Sequence, residues 1–267
     1  MADTKRERRE HARELAKANR EAAKKRQRRN RWFLQGGIGA GVLAVAAVVL
    51  IVATSTGPTL TTGTPSNTTA GGVTFHGEGG AAVPVTSKTA APTTGNPAKV
   101  DLYIDWSCPV CQQFETSYAK DLTALVASGD ATLTVHPVAI LDHSYLGSRF
   151  SSRAANAAAC VADAAPSQFL DVQTQMYANQ PEEGTRGLTT ARILELVHAG
   201  GVTGDRLDSC VRDESFSGWV SKQTAKALND KALVNPATGG FGTPTALING
   251  KRWNGDRDFI RAVEDSD

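Results

Sequence analysis

Residues 99–127, KVDLYIDWSCPVCQQFETSYAKDLTALVA, change character at their middle. From Lys99 to Asp105, Val100, Leu102 and Ile104 alternate with polar residues, the two-residue repeat of a half-buried strand. From about Cys108 to Ala127 the chain reads as a helix, opened by Pro109, where a missing N–H costs nothing. Cys108-Pro109-Val110-Cys111 therefore sits at a strand–helix junction. A thiol on the first turn of a helix faces unpaired backbone N–H groups and the positive end of the helix dipole, and both stabilise a thiolate. A two-residue gap puts both sulfurs on one turn, so a disulfide opens and closes with little movement. Cys108, nearer the terminus, is expected to attack and Cys111, deeper in the helix, to resolve. No second CxxC and no nearby HxxxH completes a tetrahedral zinc site, so no metal is assigned. The strand–CxxC–helix context favours redox chemistry over a static bond.

Downstream, Ala131–Ile140 reads as a second strand, and upstream Val73–Phe75 and Ala82–Val85 read as short entry strands. An Ala-rich helical region fills about 148–232, broken at Pro166, Pro181 and Gly200-Gly201. Thr245–Asn249 and Lys251–Trp253 form a hairpin turning at Asn249-Gly250, and Asp256–Val263 closes with a short helix. The expectation is an α/β fold with a helical insertion. Cys160 and Cys210 lie 50 residues apart within that insertion, outside any CxxC. In an oxidising compartment such leftover cysteines are expected to pair as a structural disulfide, the alternative being two buried thiols.

The chain ahead of residue 73 has a different composition. Residues 1–31 hold 13 Lys+Arg against 5 Asp+Glu, a balance of +8, while the remainder carries 16 against 22, or −6. The folded part is thus mildly acidic, which argues against a nucleic-acid binder. Trp32 to about Ala53 is uncharged and about the ~20 residues needed to cross a bilayer as a helix. With the basic tail before it, 32–53 reads as a single-pass signal anchor with a cytoplasmic N-terminus. Residues 54–72, TSTGPTLTTGTPSNTTAGG, read as a flexible Ser/Thr/Gly/Pro linker, with Asn67-Thr68-Thr69 a glycosylation sequon. The folded domain is expected over 73–267.

The segment Asp105-Trp106-Ser107-Cys108-Pro109-Val110-Cys111-Gln112-Gln113-Phe114-Glu115, together with Gly242-Thr243-Pro244-Thr245 ahead of a strand, resembles the DsbA-like thiol–disulfide oxidoreductases of the thioredoxin superfamily. The resemblance implies a thioredoxin-like fold with a helical insertion, in which Thr243-Pro244 is a cis-proline loop that packs beside the CxxC and pairs with substrate. Trp106, just before the motif, is expected to wall the site. Leu102 stands where the family often keeps a buried acid, so proton handling is expected to fall to Glu115 and, after it, Asp105. Val110, where strong oxidants often carry histidine, implies a less extreme redox potential, and Thr243, familiar from isomerase-type relatives, keeps the isomerase reading open beside the oxidase one.

The resulting expectation is an enzyme that forms disulfides in reduced secreted or membrane proteins without metal or organic cofactor. The resemblance also implies a membrane quinone-linked reoxidant, either DsbB-type or a vitamin K epoxide reductase homologue. The rivals are an isomerase or reductase of the same fold and a non-catalytic tethered domain.

Overall fold

Strand β3 (Ala98–Ile104) buries Ala98, Val100, Leu102 and Ile104 and exposes Lys99, as its alternation requires. The computed structural model that contains it describes residues 63–86 and 95–266. The parallel partner is β4 (Ala131–Pro137), with Leu102 opposite Val135 and Ile104 opposite Pro137. A parallel pair needs a crossover, and α1 (Pro109–Ser128) supplies it. Cys108 stands just outside this helix as its N-cap, with φ −87° and ψ 120°, and Gly129 stops it in the left-handed region at φ 89°.

Strands β1 (Val73–Glu78) and β2 (Ala81–Pro84) form a hairpin that adds to β4. On the other side β5 (Thr245–Ile248) pairs antiparallel with β3 and continues into β6 (Lys251–Arg252). The sheet order is β2-β1-β4-β3-β5-β6. Asn249 and Gly250 turn the last hairpin at φ 49° and 77°, the paired positive values of a type I′ turn. Helix α7 (Phe259–Glu264) starts later than the expected Asp256, because the Asp258 side chain accepts from the Arg261 amide and caps it.

The second strand is shorter than expected. Beyond Pro137 only the Val138 amide still reaches β3, at Ile104 O. The next amides turn to side chains, Ala139 N to Thr224 Oγ1 at 3.0 Å and Ile140 N to Asp105 Oδ2 at 2.9 Å.

The insertion consists of α2 (Phe150–Ala164), α3 (Phe169–Ala178), α4 (Thr190–Ala199), α5 (Asp205–Arg212) and α6 (Ser217–Asn229). Its breaks fall at Pro166, around Pro181 and at Gly200-Gly201, where the breakers stand. The main core joins Val100, Leu102 and Ile104 to Phe114, Leu122 and Val126 of α1, Phe259 of α7 and the buried alanines of α2. A smaller cluster of Val138, Ala227, Leu233 and Leu247 packs with Tyr103 and Phe241.

The linker expectation needs correction at its C-terminal end. The Ser66 amide and hydroxyl both donate to Asp163 Oδ1 at 2.8 Å, and Asn67 Nδ2 donates to Ala162 O and Asp163 O at 3.1 Å. These are the carbonyls that the last turn of α2 leaves without helical partners. The chain therefore joins the domain before residue 73, with the Asn67 amide engaged by the end of α2. The basic tail 1–31, the apolar stretch 32–53 and the start of the linker lie outside the described residues. Among the described residues, no helix is long and apolar enough to cross a membrane.

Candidate active site

β3 ends at Ile104 and α1 begins at Pro109, so Cys108 closes the four-residue loop between them and Cys111 lies in the first turn of the helix. Register brings the second half of the site to the same place. Thr245 of β5 lies opposite Tyr103, so the Thr243–Pro244 peptide, which is cis, sits beside the end of β3. The Cys108 thiol donates to Thr243 O at 3.4 Å. Arg252 braces this loop by donating to Thr245 Oγ1 at 2.6 Å and Leu233 O at 3.0 Å, while Thr245 Oγ1 donates to Gly242 O. Thus Cys108, Cys111, Thr243 and Pro244 are assembled together.

The two thiols, unbonded here, have opposite environments. Cys108 is lowered from 9.0 to about 6. The Cys111 thiol is the largest cause, donating toward the Cys108 sulfur; burial opposes, and the Thr243 hydroxyl and the Cys111 and Val110 amides add further stabilisation. The Thr243 Oγ1 atom is buried with no hydrogen-bond partner, which leaves its proton available to the sulfur. Cys111 is raised well above the ordinary thiol value, first by burial and then by its neighbour Cys108. One sulfur is built to be an anion and the other to hold a proton.

The helical insertion and the turn that precedes it hold the carbonyls of the intervening loop. Asp105 O accepts from the Tyr177 hydroxyl at 3.3 Å, and Ser107 O accepts from the Tyr145 hydroxyl at 2.6 Å. Trp106 O and Cys108 O both accept from Gln180 Nε2, at 3.0 and 3.1 Å. In return, Gln112 Nε2 of α1 donates to Tyr177 O at 2.6 Å. Burial pushes Tyr145 up to about 12 and holds Tyr177 well above its ordinary value, so both hydroxyls remain donors. Tyr145, Tyr177 and Gln180 had no signal in the sequence, because none belongs to a local motif and their contacts span 38 to 74 residues; Gln112 lies within the motif segment, but its partner Tyr177 is 65 residues away.

Other expected site residues have different surroundings. Asp105 is fully buried, its Oδ1 taken by Ser107 N and Oγ and its Oδ2 by Ile140 N and Ser151 Oγ. Those donors occupy its acceptor positions, and burial still raises its carboxyl above the usual range. It therefore acts as a knot between the active-site loop and the insertion rather than as a surface carboxylate. Trp106 is likewise no wall of the site. It is 2% exposed, with its ring tilted against Phe169 at 5.6 Å and its Nε1 donating to Gln173 Oε1. The Gln173 amide continues to Glu115 Oε2 at 2.8 Å, and Thr174 Oγ1 donates to Glu115 Oε1. Glu115 is half-buried, and desolvation raises its carboxyl. Cys160 and Cys210 form a disulfide that ties α2 to α5. His143 is exposed on the turn after β4.

Comparison with known proteins is consistent with this geometry. Residues 89–264 match the thioredoxin family model. The serine/threonine-protein kinase PknE of Mycobacterium tuberculosis is 26% identical over 160 residues, 58% of this chain and 26% of that protein. The chain thus spans about a quarter of the length of the curated relatives it matches. Among solved structures, reduced DsbA from Mycobacterium tuberculosis is 28% identical with a TM-score of 0.53, covering 73% of this chain and 98% of that one. The disulfide bond oxidoreductase DsbG of the same organism is 29% identical with a TM-score of 0.50, covering 68% and 90%. BdbD from Bacillus subtilis, 20% identical with a TM-score of 0.53 over 78% and 97%, shares the fold.

Proposed function

The chain belongs to the thioredoxin family, and on that premise we propose that it is an oxidoreductase that forms disulfides in other proteins through Cys108 and Cys111. The observation that carries this reading is the inequality of the two thiols beside the cis Thr243–Pro244 loop. A substrate thiolate attacks Cys108 of the Cys108–Cys111 disulfide and releases Cys111 as a thiolate, which takes up a proton. The second substrate thiolate then attacks the first substrate sulfur in the mixed disulfide, forming the substrate disulfide and expelling Cys108 as a thiolate. Two electrons pass to the enzyme, and a thiol of low pKa is a good leaving group for that last step. Glu115, a half-buried carboxyl held near α3, is the group proposed to relay the Cys111 proton; Asp105, bound on all sides, is not.

The proposed setting is extracytoplasmic. Residues 1–31 form a basic cytoplasmic tail, 32–53 a signal anchor and the following residues a tether. The Cys160–Cys210 disulfide supports an oxidising compartment. Substrates are reduced secreted or membrane proteins. The family resemblance supplies the reoxidant, a quinone-linked membrane protein of the DsbB or vitamin K epoxide reductase type.

Trapping tests the division of labour. Cys111→Ser removes the resolving thiol and should accumulate reducible, higher-mass adducts with extracytoplasmic proteins, while Cys108→Ser should accumulate few. Equal absence of adducts from both variants would overturn the reading. Thr243 favours an isomerase or reductase as the second reading, and the reduction potential separates them, roughly −120 mV for an oxidant against roughly −270 mV for a thioredoxin-like reductant.

A further inference from the structure

We propose that Gln180 is a positioning residue for the exchange reaction: its side-chain amide holds the Trp106 and Cys108 carbonyls and thereby aims the N-terminal amides of α1 at the Cys108 sulfur. The inference rests on the reading of Cys108 as the exchanging thiol.

Gln180 stands two residues beyond the end of α3 and directly before Pro181. A residue preceding proline is kept out of the helical region, so α3 cannot continue through Gln180, and its side chain is free to reach the active-site loop. Its backbone amide is tied to Tyr177 O at 3.3 Å, which fixes the base of the side chain. A primary amide carries two hydrogens, and Gln180 has two acceptors, Trp106 O at 3.0 Å and Cys108 O at 3.1 Å.

Cys108 O is the decisive one. It also accepts the Gln112 amide at 3.1 Å, the bond that begins α1, so both of its lone pairs are engaged. An N-cap carbonyl held from two directions fixes ψ of Cys108 and the plane of the next peptide. The amides of Val110 and Cys111, which stabilise the Cys108 thiolate, are oriented by that plane. Gln180 also keeps the negative ends of both carbonyl dipoles engaged with donors and away from the sulfur. It touches no reacting atom, and its effect passes entirely through the loop. The carbonyl donors Tyr145 and Tyr177 serve the neighbouring peptides, but only Gln180 spans the residue that carries the thiol.

The test uses the full chain and the variant Gln180→Met, which keeps side-chain length and removes both donors. Losing both donated hydrogen bonds is expected to shift the thiolate equilibrium about tenfold, ~1.4 kcal/mol. The Cys108 titration, followed by thiolate absorbance in the reduced protein, should move up by about one pH unit. The equilibrium with glutathione should become about tenfold less oxidising, ~30 mV for this two-electron couple. Gln112→Met, which removes the reciprocal amide on Tyr177 O, measures the cost of loosening α3 from α1 alone, and the Gln180→Met shift should exceed it. A Gln180→Met protein that melts lower but keeps the wild-type titration and potential would make Gln180 a structural brace and overturn the proposal. Should Gln180→Met fail to fold, Gln180→Leu removes the donors without adding a charge and must likewise raise the Cys108 titration; a wild-type value there overturns the proposal too. If wild-type Cys108 itself titrated like a free thiol, the reading of the site would fail instead.

Discussion

Cys108 lies at about 6 in the fold against an ordinary value of 9.0, which corresponds to ~4 kcal/mol of preference for the thiolate. A depressed acid stabilises the folded protein at pH values above its folded pKa. Below about pH 6 the Cys108 thiol is protonated in folded and unfolded chains alike and contributes nothing. Between 6 and 9.0 the folded reduced protein holds one proton fewer than the unfolded one, so its stability rises with pH. Cys111, raised by burial, stays protonated throughout that interval and begins to oppose folding only above it. Reduced wild type should therefore gain on reduced Cys108→Ser as pH rises through this range, and the two should converge below it, as measured by urea unfolding. A constant gap across the range would mean that the thiolate is not held by the fold. Iodoacetamide should also alkylate Cys108 with a pH midpoint near 6, well ahead of Cys111.

At the scale of elements, what was legible in the sequence was what is local. The alternation of Val100, Leu102 and Ile104, Pro109 after the first cysteine, Asn249-Gly250 and the helix breakers each state their element within a few residues. Strand and helix ends were less legible, because side chains from elsewhere decide them. Asp105 takes the Ile140 amide and Thr224 the Ala139 amide, so β4 stops at Pro137. Trp106 stands next to the Cys108–Cys111 motif yet faces the core, because the insertion supplies Phe169 and Gln173 to receive its ring and N–H. The same holds for the end of α2, where Asn67 supplies donors from 95 residues away. With Asn67→Ala, Ala162 O and Asp163 O lose these donors, and loss of a cap costs ~1 kcal/mol. Thermal melting should fall by a few degrees for a domain of this size. An unchanged melting temperature would mean that water replaces the strap at no cost and that the domain in effect begins at residue 73.

For the molecule as a whole, the sheet presents the two cysteines and the insertion holds the loop that carries them, so stability and chemistry meet at α2 and α3. Ser151, near the start of α2, binds Asp105; the far end of that helix carries Cys160 and receives Asn67. The Cys160–Cys210 bond closes a span of 50 residues between α2 and α5, and in the chain-entropy account a loop of that size is worth about 4 kcal/mol. Asn156 reinforces the junction, accepting from Phe216 N at 2.8 Å and donating to Cys210 O at 3.3 Å. These hydrogen bonds do not depend on the sulfurs, so Ala at both cysteines should loosen the junction without dissolving it. The double variant should melt lower by several degrees yet retain the depressed Cys108 titration at temperatures below its transition, because the donors around Cys108 come from α1, Thr243 and Gln180 rather than from α5. If the Cys108 titration instead returned toward 9.0 while the domain remained folded, the distant disulfide would be setting the chemistry of the near one. The insertion would then transmit its bonding state through α2 to the Asp105 knot.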